Sequence, residues 1–361
     1  MNDSAHPLLP PTVPLLRLTG PGGTAVQVGG TDTADGLLVA PCPDQLRALL
    51  RGLDGRRTQR SVVDEAARAG HEPAAVTAVL DGLRATGLLV DLDAADLLAG
   101  DAGPAAAART RAELPAVAGA AARDGSPSPW RARRSAAVVV EGATRVGVPL
   151  AAVLAASGVG RVSVRDGGVT TAGDTVVGGL DAADEGRSRA LAAADAVRRA
   201  SPLADLRPLP AGSSGDLVVL TRPWAASDPL VAGLQRAGVP HLVATVRGET
   251  GVIGPLVVPG TTSCLRCAEL HRRDADPRWP VLAAQLTATE AATGGATVTC
   301  LMTAVTAAVQ VLAYLDGTAA PAALGTTLEL RPPDLSPSLR PWPVHPDCGC
   351  ASPPPAPVGR T

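Results

Sequence analysis

The sequence has no lysine and no phenylalanine, one tyrosine, one asparagine (Asn2) and one isoleucine (Ile253). All 32 basic residues are therefore arginine. This bias has the mark of GC-rich codon usage, so a missing lysine or asparagine says little about function. There is also no excess of either charge. The 32 basic residues face 34 acidic ones, for a net charge of -2. That balance excludes a generic nucleic-acid or polybasic membrane surface. A secretory signal is not apparent: MNDSAHPLLPPTVPLLR lacks a basic start, and prolines break its apolar run. The expected location is the cytoplasm. One uncharged stretch, 291–315, invites comparison with a membrane span. It contains Gly294, Gly295, Gln310 and several threonines, and much of its apolar content is alanine. A buried helix is the better expectation, with no membrane partner. No internal repeat is visible.

What is present is length. At roughly 150 residues per domain, 361 residues give about two domains, with a core that needs no disulfide staple. Residues 1–92 read as a small α+β unit. VPLLRL and TAVQV are strands joined through Gly20-Pro21-Gly22-Gly23, and GLLVA (36–40) is a third. Three helices follow, with apolar faces Leu46/Leu49/Leu50/Leu53, Val62/Val63/Ala66/Ala67 and Val76/Val79/Leu80/Leu83. Thr58 is a candidate N-cap, Pro73 starts the third helix and Gly87 stops it. GLLVD (87–91) reads as a closing strand. The pattern is winged-helix-like. Residues 93–134, rich in Ala, Gly, Pro and Arg, read as a linker, and 351–361 as a disordered tail.

From residue 135 the pattern is βαβ. AAVVVE (136–141), RVSVRD (161–166), DLVVL (216–220) and HLVATV (241–246) are strands, with helices at 147–157, 186–200 and 228–237 between them. Further apolar segments lie at 252–258, 280–291, 296–315 and 324–330. The alternation predicts a Rossmann-like α/β domain over 135–350, its sheet mostly parallel and covered by helices on both faces.

Cysteine spacing carries the strongest chemical signal. Cys264-Leu-Arg-Cys267 is a C-x-x-C, and Cys348-Gly-Cys350 follows in the turn-rich string HPDCGC. Two thiol pairs supply four thiolates, a closed shell suited to structural zinc with no open position for catalytic water. His345 stands beside the second pair and is left outside the shell. Cys300 is expected to be a core thiol, and Cys42 receives no role. His271 reads as a histidine on a surface loop.

A second signal follows the strand 136–141. Gly142-Ala143-Thr144-Arg145-Val146-Gly147 is G-x-T-x-x-G where a dinucleotide fingerprint has G-x-G-x-x-G. Asp166 ends the next strand, where a carboxylate would accept ribose hydroxyls. Thr144 puts a β-branched side chain where glycine lets the backbone approach a phosphate. An NAD-dependent dehydrogenase fits this turn poorly. DNA binding by residues 1–92 fits poorly too, since that unit has eight arginines against ten acidic residues.

These residues together resemble the ThiF superfamily, the adenylyltransferase fold shared by ubiquitin-like-modifier-activating enzymes. The likeness rests on the strand, Gly-turn and helix, on SGVGRVSVRDGGV (157–169), on GPLVVPG before CLRC, and on the closing cysteine pair. The run from GPLVVPG to LAAQL is similar to actinobacterial members associated with cyclodehydratases. LLRGLDGRRTQRSVVDEA (49–66) is similar to the leader-peptide-binding PqqD proteins. The resemblance implies a homodimer with a structural zinc on four cysteines and an ATP/Mg²⁺ site for adenylating a carboxylate. Gly142, Thr144, Arg145, Gly147, Asp166, Arg187 and Arg189 are the candidate nucleotide residues. TTAGDTVVGG (170–179) lacks the family's arginine, Pro223 stands where its Mg-binding Asp belongs, and Arg189 where its Lys belongs. The catalytic set is therefore unknown. The resemblance then implies a zinc protein that binds a precursor leader peptide and recruits it to a YcaO-type enzyme for azoline formation. The alternative is an active adenylyltransferase acting on a peptide or small-protein C-terminus.

Overall fold

The computed structural model describes residues 4–20, 23–30, 36–92, 113–114, 117, 129–202, 204–207, 209, 213, 215–226, 228–288 and 294–351. The chain divides into two compact units, Met1–Ala132 and Arg133–Thr361.

In the first unit β2 (Leu15–Gly20), β3 (Gly23–Gly29) and β4 (Gly36–Val39) form an antiparallel sheet in that order. Helices α1 (Asp44–Arg51), α2 (Gln59–Arg68) and α3 (Pro73–Ala85) follow. Thr58 caps α2, its Oγ1 accepting from Ser61 N at 3.2 Å. Pro73 opens α3, and Gly87 takes φ +72° just past its end. Leu46 and Leu50, Val62 and Ala66, and Val76, Leu80 and Leu83 are the buried positions, each three or four residues apart. Of the expected faces, Leu49, Val63 and Val79 are only half-buried, and Ala67 is exposed. The expected closing strand differs. It is β5 (Val90–Leu92), and it pairs with β1 (His6–Leu8) apart from the three-stranded sheet.

Most of the expected linker, and all but the first residue of the expected tail, lie outside the described residues. Leu114, Val117 and Trp130 within that linker are buried against Leu8 and Leu92.

The second unit holds one seven-stranded sheet, ordered β12-β11-β10-β9-β8-β6-β7. Its strands are β6 (Ala137–Glu141), β7 (Arg161–Arg165), β8 (Leu217–Leu220), β9 (His241–Arg247), β10 (Thr250–Val257), β11 (Thr326–Leu330) and β12 (Pro337–Pro341). β7, β6, β8 and β9 are parallel, and the ladder from β9 to β12 is antiparallel. Side chains alternate between the faces as a two-residue period requires. Val138 and Val140, Leu217 and Val219, and Leu242 and Ala244 enter one core. Val139, Val218, Leu220 and Val243 enter another.

Seven helices are described around this sheet: α4 (Pro129–Ser135), α5 (Gly147–Ala156), α6 (Arg189–Ala200), α7 (Pro229–Arg236), α8 (Leu265–Ala275), α9 (Trp279–Ala288) and α10 (Thr297–Asp316). α5 and α10 fill the first core, and α7 fills the second. α10 is long and apolar enough to cross a membrane by length and composition. It packs as a core helix, with Cys300, Ala304, Ala307, Ala308 and Val311 buried. At its end Asp316 takes Arg133 Nε and Nη2 at 2.6 Å each, and Arg133 also donates to Ser157 O at 3.1 Å. One buried ion pair therefore ties the start of the unit to α5 and α10.

Candidate functional site

The Gly turn connects β6 to α5. Gly142 has φ +111°, a conformation that suits glycine. A Cβ at Gly147 would lie 2.2 Å from Gly142 O, so the turn closes only with glycine there. Thr144 is buried, and its hydroxyl accepts from Gly147 N at 2.9 Å and Val146 N at 3.3 Å. These are amides of the helix start, where an anion would otherwise be gripped. Thr144 thus satisfies them from within the chain. Arg145 turns away from the turn. It donates to Gly295 O at 2.7 Å, Thr297 Oγ1 at 2.8 Å and Thr175 O at 3.2 Å, linking the turn to the start of α10.

Asp166 follows β7, and its carboxylate is fully buried. It accepts from Ala143 N at 2.8 Å and Gly168 N at 2.7 Å. Arg222 donates to the same carboxylate, and Arg189 Nε stands 3.3 Å away. Burial alone would raise this carboxyl's pKa. The Arg222 hydrogen bond, with those from Gly168 and Ala143, outweighs burial and holds it below the usual range. Arg222 reaches Asp166 across the turn. A Cβ on Gly142 would meet its Cγ at 2.9 Å. Both groups expected to hold a nucleotide, the helix-start amides and the ribose carboxylate, therefore have internal partners. A cavity of about 390 Å³ remains beside them, lined by Glu141, Gly142, Arg165, Asp166, Arg222 and Trp224 among others.

Of the other candidates, Arg189 also faces Asp174 at 3.5 Å. Arg187 pairs with the buried Asp184 at 2.5 Å and with the partly exposed Asp195 at 2.6 Å, and it does not line this cavity. Arg222 was not anticipated. Its signal is its place two residues past the end of β8, beside Pro223.

The four cysteines do converge. Cys264 caps α8 and Cys267 sits in its first turn, while Cys348 and Cys350 come from the loop after β12. Sulfur separations are 3.4 Å for Cys267–Cys350, 3.6 Å for Cys264–Cys348 and 3.9 Å for Cys264–Cys267. A tetrahedral zinc with bonds of about 2.3 Å spaces its sulfurs by roughly 3.8 Å, so the donor set fits. His345 has both ring nitrogens engaged, by Asp274 at 2.8 Å and Asp347 N at 3.0 Å. His271 lies on α8, a helix where a surface loop was expected, and bonds Pro343 O at 3.0 Å. Cys300 is buried in the core, and Cys42 is buried in the first unit.

Fold and site together define a Rossmann-like α/β protein with a Gly turn and a four-cysteine cluster. The ThiF family profile matches residues 128–350, and the chain belongs to the ThiF family. Among solved structures it is similar to E. coli MccB with ATP, at 14% identity and TM-score 0.56, covering 96% of this chain and 99% of that one. It is similar to the microcin C7 biosynthetic enzyme MccB in complex with N-formylated MccA, at 13% identity and TM-score 0.56, with 96% and 99% coverage. PaaA matches at 14% identity and TM-score 0.54, covering 91% of this chain and 98% of that one. No sequence among the curated proteins matches.

Proposed function

We propose that this ThiF-family chain binds the leader of a precursor peptide and presents it to a YcaO-type cyclodehydratase. On this reading the chain is a cytoplasmic homodimer with a structural zinc, and the ATP chemistry belongs to the partner. The observation that carries it is the internal filling of the nucleotide site, by Thr144 at the helix start and by Arg222 on Asp166. A phosphate or ribose would have to displace groups that the chain itself already supplies.

The peptide side of the reading rests on the first unit. β4 pairs with β3 alone among the described residues, so its other edge is open to an added strand. It lies beside α3, where a Cβ at Gly82 would meet Leu37 at 3.3 Å. Leu16, Leu18 and Leu38 stand on the solvent face of this sheet, each more than two-fifths exposed. That MccB has been solved with N-formylated MccA is in keeping with it. The dimer draws support from an exposed stripe of Val298, Met302, Val305 and Val309 along α10.

The test is a titration of labelled leader peptide from the chain's own pathway with full-length, zinc-loaded protein. Saturable binding is expected, with Leu38→Asp weakening it about tenfold, about 1.4 kcal/mol. No binding of any such peptide would remove the reading. MccB's structure with ATP favours a second reading, active adenylation. ATP–pyrophosphate exchange in the presence of the peptide tests that one.

A further inference from the structure

A second cleft lies on the other side of Trp224, between the β9–β10 pair and α8. Trp224, Arg247, Gly254, Glu269 and Arg272 are among its walls. Its inner space is about 20 Å³. Roughly 10–15 Å³ holds one water, so it admits one small polar group and excludes a nucleotide.

The donors in this cleft outnumber the acceptors. Among the described residues, neither the Arg247 nor the Arg272 guanidinium has a hydrogen bond or an ion pair. Arg272 is held only by stacking, 4.5 Å over Trp342 and 5.2 Å over Trp279. Burial pushes its pKa down to about 10, and repulsion from Arg247 and Arg340 adds to that. Burial also lowers Arg247. Glu269 is the acid in the wall, and its Oε1 is taken by Ala226 N at 2.7 Å. Glu329, the other acid that both arginines feel, pairs with Arg331. The indole N–H of Trp224 is buried without an acceptor. Two guanidiniums against one carboxylate leave the wall with one positive charge in excess, suited to one monoanion.

We propose that the Trp224–Arg247–Arg272 cleft is a carboxylate-binding site that receives one acidic group of a bound peptide. A carboxylate offers acceptors to the guanidinium forks and the indole N–H at once, and it offsets the excess charge. The peptide as source rests on the leader-binding reading above. The cleft itself does not, and small acids test it alone.

The four tryptophans provide the readout. Full-length protein with ¹⁵N-labelled indoles is titrated with sodium acetate, with acetamide, with inorganic phosphate, and with sodium chloride at matched ionic strength. Acetate is expected to move the Trp224 signal saturably, while acetamide and chloride leave it in place. Arg247→Gln should weaken the acetate response about tenfold, with an unchanged melting temperature and circular dichroism spectrum as the check on folding. N-acetylglycine and N-acetylglutamate α-amide then separate a chain terminus from a side chain as the source. No acetate response in the wild type, or a response to phosphate alone, overturns the site. An unchanged response in Arg247→Gln does the same. Leader peptide that binds without moving Trp224 refutes the peptide as source and leaves leader binding standing. Acetate binding without leader binding does the reverse.

Discussion

Asp166 and Arg222 decide how the Gly turn behaves. The carboxylate is fully buried and Arg222 is about two-fifths exposed, so their pair is worth less than a fully buried one. Asp166→Asn should cost about 2 kcal/mol in urea unfolding near neutral pH. The folded carboxyl is depressed, so its stabilisation is present above the ordinary range near pH 4 and fades as pH falls through the folded value. The gap between wild type and variant should therefore narrow below about pH 4. A gap that is constant with pH would show that charge is not its origin. Arg222→Ala should make AMP binding at least about tenfold tighter, about 1.4 kcal/mol, by freeing the carboxylate and clearing Gly142. Asp166 was legible from its place after a strand. Its partner was not, because a carboxylate that can face ribose and one that faces an arginine are identical in sequence.

At the scale of elements, burial on both sheet faces made β6, β8 and β9 legible as short runs that are mostly apolar, such as AVVV, LVVL and LVATV. Elements without that signature were missed. β12, PSLRP, is exposed at every residue and bounded by prolines, with no alternation to read. α8, LRCAELHRRDA, is charged along most of its length and begins at a metal-type motif, so His271 read as a loop residue. β1 has three residues and exists by pairing with β5. The junction of α4, α5 and α10 rests on Arg133 and Asp316, both about nine-tenths buried. Arg133→Met would strand Asp316 and should cost about 3–5 kcal/mol in chemical denaturation. Less than about 1 kcal/mol would mean that the pair is solvated in solution. Gly147→Ala should prevent closure of the turn and lower the melting temperature, since no flexible side chain can yield at 2.2 Å from Gly142 O.

At the scale of the whole molecule, the fold class and the four-cysteine cluster were legible, because βαβ alternation and paired cysteines are dense local signals. The pairing of Asp166 with Arg222 at the expected nucleotide site was not, because the ends of β7 and β8 come together only when both strands flank β6. The cysteine cluster ties α8 to the last described loop. Zinc analysis of the purified protein should give one equivalent per chain. Stripping it with a strong chelator should lower the melting temperature and be reversed by added zinc. A chain that loses no stability without metal would contradict a structural ion.

The most direct measurement is calorimetric titration of the zinc-loaded chain with Mg-ATP. A site filled by Thr144 and Arg222 should give no binding heat up to about 1 mM, weaker than about -4 kcal/mol. Binding near 10 µM, about -7 kcal/mol, would show that a nucleotide displaces those groups readily, and would contradict a site filled from within the chain.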